Sequence, residues 1–204
     1  MHQTHHCRLR LVTVALMLAG VLAWPAASRA QTVAGQARAT QATITGPLGT
    51  TTTTTLSDTG TLGGTNDARD ASLLTASVPS LLDAEVFSAA TISFSDEVDS
   101  QASVGNVNLT VAGVAISADS VVSQASSVLG TGSSGSSTIS NLAIGGLPIN
   151  VTGAPNQTVA IPGGLVTINE QTISSTGAAV VNAVHVTVAG VADVVIASAT
   201  AGIS

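Results

Sequence analysis

The chain has no lysine or tyrosine, and its 204 residues include only one cysteine, one tryptophan, two methionines and two phenylalanines. Cys7, Trp24, both methionines and three of the four histidines fall within residues 1–30. From Gln31 onward there remain one histidine, His185, two aromatics, Phe87 and Phe94, and two basic residues, Arg38 and Arg69. Each absence excludes something. A region without cysteine forms no disulfide, so its stability must come from apolar burial and backbone pairing. Zinc sites need several His or Cys ligands, and one histidine does not supply them. Two arginines against eleven acidic residues leave a net charge of −9, which argues against nucleic acid and against anionic membrane surfaces. There is no Gly-x-Ser-x-Gly elbow and no glycine-rich phosphate loop.

Residues 1–30 read as an export signal. His2, His5, Arg8 and Arg10 form a basic start, Leu11 to Trp24 an apolar run, and Ser28-Arg29-Ala30 places small residues where a signal peptidase reads. The mature chain is expected to begin at Gln31. Its 174 residues are expected to form a single domain, and that length suffices for a hydrophobic core. Cys7 precedes the apolar run and is not placed for lipid attachment. The apolar stretch from Ala178 to Ile203 is β-branched, alternating and interrupted by Asn182, His185 and Asp193. It reads as paired strands rather than a membrane helix. With no hydrophobic tail before Ser204, release or non-covalent retention is expected.

Thr, Val, Ser, Gly and Ala dominate while strong helix formers are scarce, which predicts an all-β fold. Period-two alternation marks Val86, Ala90, Ile92 and Phe94 as one apolar face, and Val107, Leu109 and Val111 as another. A hairpin recipe recurs. Residues 108–116 and 141–149 share a pattern of apolar runs around Ala112-Gly113 and Gly145-Gly146, and Thr-Val-Ala-Gly-Val-Ala recurs intact at 187–192. Two-residue loops would set Val111 opposite Val114, Leu109 opposite Ile116, Ile144 opposite Leu147 and Leu142 opposite Ile149, placing the apolar residues on one side. The same count in the third copy, around Ala189-Gly190, puts Asp193 opposite Val186. Either that hairpin is expected to end early or Asp193 to sit at an edge.

The unequal spacing of the copies favours antiparallel hairpins forming a β-sandwich over an irregular β-solenoid. Thr50 to Thr55 favours extended backbone. Gly130 to Ser137, all Gly, Ser and Thr, is expected to be a flexible exposed loop. Pro148 lacks an N–H and suggests an edge strand.

His185 is the one residue after the signal whose unperturbed side chain titrates near neutrality. In Val184-His185-Val186 it points away from the apolar set, and Glu170 in Ile168-Asn169-Glu170-Gln171 could orient it as a general base. The alternative is a partly buried histidine hydrogen-bonded within the sheet. Asp96-Glu97-Val98-Asp99 and Asp67-Ala68-Arg69-Asp70 could offer oxygens to calcium, but neither has calcium-loop spacing and no metal or cofactor is expected. Asn108, Asn150 and Asn156 stand in Asn-x-Thr sequons. The Arg- and Ala-biased, lysine-free composition looks bacterial, and the sequons are taken as coincidental.

Gly153-Ala154-Pro155-Asn156-Gln157-Thr158-Val159, Ile168-Asn169-Glu170-Gln171 and Val181-Asn182-Ala183-Val184-His185-Val186-Thr187-Val188 resemble motifs of the bacterial choice-of-anchor P family. Ser100-Gln101-Ala102-Ser103-Val104 with Asn108-Leu109, and Ile44-Thr45-Gly46-Pro47-Leu48-Gly49, resemble it as well. The resemblance implies an exported surface protein of unknown molecular role and brings no catalytic residues. This chain departs from the family theme in showing no C-terminal sorting motif. Asn156, Asn169, Glu170, Asn182 and His185 stand in the matching motifs and form the candidate polar cluster.

Together these features lead to a secreted or cell-surface module, non-enzymatic, structural or adhesive, in the envelope or extracellular matrix. A second reading is a module binding a glycan or another envelope component, through a groove at the third hairpin and residues 153–171. A third is a hydrolase using Glu170 and His185.

Overall fold

The computed structural model describes residues 31–46 and 48–204; the expected export signal over residues 1–30 lies outside the described residues. In chain order the strands are β1 (Val33–Thr45), β2 (Thr51–Asp58), β3 (Ala68–Val78), β4 (Leu82–Ser93), β5 (Glu97–Val111), β6 (Val114–Val128) and β7 (Gly132–Ser140). They continue with β8 (Ala143–Ile144), β9 (Leu147–Pro148), β10 (Gln157–Ile161), β11 (Gly164–Ile173), β12 (Ala179–Val188) and β13 (Ala192–Ile203). Among the described residues there is no helix, and so none long and apolar enough to cross a membrane.

Two antiparallel sheets pack face to face as a β-sandwich. One runs β10-β11-β12-β13-β1-β2, and the other runs β3-β4-β5-β6-β8-β9 with β7 also paired to β6. The first and last of the described strands thus share a sheet: β1 pairs with β13, and Thr32 and Ser204 exchange backbone hydrogen bonds of 2.8 and 3.1 Å. The core between the sheets is built mainly from Val, Ala, Ile and Leu, with Phe87 the one fully buried aromatic among the described residues.

The first two hairpins pair as their apolar pattern requires. Leu109 faces Ile116 and Val111 faces Val114; Ile144 faces Leu147, and Ile149 donates to the Leu142 carbonyl. Both loops are two residues long with positive φ at each position, 48° and 79° at Ala112-Gly113 and 59° and 78° at Gly145-Gly146. That is the twist a tight hairpin needs. Leu147, at the tip of the edge hairpin, is nevertheless 69% exposed. Pro148 lies in β9, an edge strand, where its missing N–H leaves no gap in the sheet.

The third hairpin corrects the simple count. Val188 faces Ala192, Thr187 faces Asp193 and Val186 faces Val194, so the identical hexapeptide here makes a loop one residue longer. Only Gly190 has positive φ, 69°, and Val191 donates to the Val188 carbonyl. The reason lies just beyond the repeat, where Ile116 in the first copy becomes Asp193 in the third. A two-residue loop would turn the Asp193 carboxylate inward and Val194 and Ile196 outward, and burying an unpaired charge is far worse than lengthening a loop. The two copies should therefore answer one substitution in opposite ways. Ala112→Gly relieves a left-handed alanine and should stabilise by about 0.5–1 kcal/mol, whereas Ala189→Gly only loosens the unfolded chain and should destabilise by a similar amount. Paired urea titrations of the two variants check this.

A second correction concerns strand phase. In β4 the buried residues are Leu82, Ala84, Phe87, Ala89, Thr91 and Ser93, so the expected face of Val86, Ala90, Ile92 and Phe94 looks outward. The ladder shifts near Glu85, and Val86 carries φ 53°. The same change of phase runs across both sheets. Inward residues switch parity between Val104 and Val107 in β5 and between Ala118 and Val121 in β6. In the other sheet Ala39-Thr40, Asn169, Ala183-Val184 and Ile196-Ala197 mark the switch. Ladder pairs flank each of these points without including Ala39, Asn169, Ala183 or Ala197. Left-handed φ values at Ser57, Asn106, Asn169 and Ala197 accompany them. A kink confined to one strand would break its neighbours' ladders, so the irregularity is carried in register from strand to strand.

Within the segment 130–137, residues 132–137 are strand rather than loop. Gly132–Ser140 is strand β7, paired with β6 from Val128–Gly132 to Ser120–Ser140. On its inward face the facing sheet comes close at Gly135, where a Cβ would lie 2.1 Å from Val181 Cγ2.

Candidate functional site

The phase change decides which polar residues meet. Where two successive residues of a strand turn inward, the residues flanking them, at i and i+3, both emerge on the outer face. Asn182 and His185 flank Ala183-Val184 in this way, and Arg38 and Gln41 flank Ala39-Thr40. Asn182 Nδ2 donates to Glu170 Oε2 at 2.6 Å, and His185 Nδ1 lies 2.8 Å from the same oxygen. The third-hairpin register brings Asp193 to the other side of the ring, with Oδ2 3.3 Å from His185 Nε2. The imidazole is largely covered, its side chain 19% exposed, while Asp193 is 53% exposed.

Glu170, Asn182 and His185 therefore come together. Asn156 and Asn169 do not join them. Asn169 is buried in the phase-change row, where its side chain donates to the Gly153 carbonyl at 2.9 Å and accepts from Gln171 Nε2 at 2.9 Å. Asn156, with φ 59°, accepts from the Gln171 backbone N–H at 2.9 Å and donates its own N–H to the Asn169 carbonyl. Both satisfy backbone at irregular positions, as asparagine commonly does in left-handed conformations. Asp193 is the member that sequence reasoning missed. Its signal was the conflict it created in the hairpin count.

The chemistry of the cluster is constrained by its hydrogen bonds. Both ring nitrogens of His185 face carboxylates, and Glu170 Oε2 is shared with Asn182. Thr167 and Val195 are the cross-strand neighbours of His185, and no serine or threonine hydroxyl hydrogen-bonds to the ring among the described residues. A general base needs a ring nitrogen free to accept from a nucleophile or water. The Asn–carboxylate contact also recurs without histidine in the opposite sheet, from Asn106 Nδ2 to Glu85 Oε2 at 2.8 Å and from Asn141 Nδ2 to Asp119 Oδ2 at 2.6 Å. Asn106 bridges β5 to β4, and Asn141, in the bend after β7, reaches β6.

Further along the outer face of the same sheet, Arg38 Nε donates to Asp58 Oδ2 at 2.9 Å, Gln36 donates to Asp58 Oδ1 at 2.8 Å, and Arg38 also contacts Gln41. Burial acts to raise the Asp58 carboxyl, but hydrogen bonds from Gln36, the Gly60 N–H and Arg38, with the charge of Arg38, outweigh it and hold the group below its ordinary value of 3.8. A folded-state value below the unfolded one means the stabilisation is present above 3.8 and is lost as pH falls through the lowered value. The stability gap between the wild type and Asp58→Asn should accordingly be widest near neutrality and close on acidification, as read by melting temperature against pH.

Comparison with protein-family models, with curated proteins and with solved structures returned no match.

Proposed function

We propose that this chain is an exported, non-enzymatic β-sandwich module serving a structural or adhesive role in the bacterial cell envelope or extracellular matrix. The observation that carries the reading is the commitment of the His185 cluster to cross-strand hydrogen bonding. Its two ring nitrogens meet Glu170 and Asp193, and the Asn182–Glu170 contact has histidine-free counterparts at Glu85 and Asp119. The export-signal pattern of residues 1–30 and the acidic, lysine-free composition support the same reading. The motif resemblance to the choice-of-anchor P family belongs to this proposal, on the strength of residues 153–159, 168–171 and 181–188.

Fractionation of the producing cell followed by amino-terminal sequencing tests it. The expected result is protein in the medium or wall fraction beginning at Gln31. An uncleaved chain in the cytoplasm rejects export. The non-enzymatic part is rejected if a hydrolytic activity is found that His185→Ala and Glu170→Ala each abolish while the melting temperature holds.

A further inference from the structure

One concavity lies away from both the His185 cluster and the third hairpin. It lies on the outer face of the other sheet, about 900 Å³ in volume, against about 370 Å³ beside the third hairpin. Two cross-strand rungs form it. Asp70, Ala90, Gln101, Gln124 and Ser136 are successive partners from β3 to β7, and Ile92, Asp99, Ser126 and Ser134 continue the adjacent rung. Partners in one rung project to the same side of a sheet. The trough therefore crosses five strands, roughly 19 Å at the usual spacing of about 4.8 Å.

Its floor mixes apolar side chains, Ala90 and Ile92 among them, with a set of polar groups. Gln124 Nε2 donates to Gln101 Oε1 at 3.0 Å, which leaves the Gln101 NH2 as donor and the Gln124 Oε1 as acceptor toward the trough. Asp70 and Asp99 have neither an ion-pair partner nor a side-chain hydrogen bond among the described residues. Serine hydroxyls close the β7 side. Carboxylates, amides and hydroxyls at strand spacing suit a ligand rich in neighbouring hydroxyl groups, since one carboxylate accepts from two of them and an amide both donates and accepts. Arg69 also lines the trough, but its guanidinium is engaged by Asp67, so unpaired Asp70 and Asp99, in a chain this acidic, repel uronates and phosphate-bearing polymers.

We infer that this trough binds a neutral polysaccharide chain laid across strands β3 to β7. The inference deepens the adhesive reading by naming a site and a ligand class. Export and sugar binding fail separately, because a cytoplasmic location would remove the first without changing retention in a gel. It also moves the expected glycan groove from the third hairpin to the opposite sheet.

Affinity electrophoresis of the purified protein in native gels tests it, using dextran, glucomannan and hydroxyethyl-cellulose as neutral polymers and polygalacturonate as the anionic one. Retardation is expected with at least one neutral polymer. Gln101→Ala with Gln124→Ala should weaken that retention at least tenfold, Ser136→Arg should block it independently, and His185→Ala should leave it unchanged. Absence of retardation by all three neutral polymers overturns the inference. So does retention that both trough variants preserve, or retention by polygalacturonate alone. A concentration-dependent dimer in sedimentation that Ser136→Arg removes, without any polysaccharide retention, would assign the trough to a second copy instead and equally overturns it.

Discussion

Phe87→Ala should remove about 3–5 kcal/mol of folding stability, the usual range for truncating a buried phenylalanine. A domain of this kind has a total of about 5–15 kcal/mol, so the variant should unfold at much lower urea or fail to fold near body temperature. Phe87 is 1% exposed and sits on the inward face of β4, within a core otherwise made of aliphatic side chains. Phe94, just past the end of the same strand, is 44% exposed, and Phe94→Ala should cost no more than about 0.5 kcal/mol, as for other surface substitutions. Equal midpoints for the two variants in urea titration would mean that the inward phase of β4 is wrong.

Gly135→Val should be nearly as damaging, by about 3 kcal/mol, the upper end of ordinary overpacking. The added Cβ alone would come within 2.1 Å of Val181 Cγ2 and 2.9 Å of the Gln124 carbonyl oxygen. Val181 is itself buried in the smaller of the two core clusters, and the Gly135 carbonyl accepts from Gln171 Nε2 across the sandwich at 3.0 Å. Backbone on one side and a packed side chain on the other leave no direction in which to yield. Ser134→Val, whose side chain faces solvent on the same strand, should change stability by no more than about 0.5 kcal/mol. A flexible loop would tolerate both substitutions alike, so the contrast between them in thermal melts separates the strand from the loop.

These two positions also show where sequence reading succeeds and where it stops. The all-β class, the antiparallel sandwich and two hairpin registers were legible because Leu109, Val111, Leu142 and Ile144 state their pattern within a few residues of a glycine turn. Val86 and Gly135 were misread for different reasons. Alternation assumes that a strand keeps one phase, and Val86 sits where β4 changes it, in register with a change in β5 that lies near Gly105 in sequence. Low complexity around Gly135 looked like disorder because the need for small side chains comes from Val181, on the opposite sheet. The candidate cluster divided along the same line. Glu170, Asn182 and His185 meet through an i, i+3 geometry that a straight strand does not offer, while Asn156 and Asn169 shape turns and kinks.

The pairing of β1 with β13 has a mechanical consequence. The two strands are antiparallel, and residues 32 and 204 lie bonded at one end of them. A tension applied between those two residues therefore loads the pairs in succession, first Val33 with Ile203 and last Ile44 with Ala192. Strands peeled apart one rung at a time yield at low force, whereas load entering at residue 32 and leaving through the face of β3 to β7 must slide whole sheets past each other. A molecule gripping a polymer across that face while held at residue 32 would be stretched in its strong direction, and one pulled between residues 32 and 204 in its weak one.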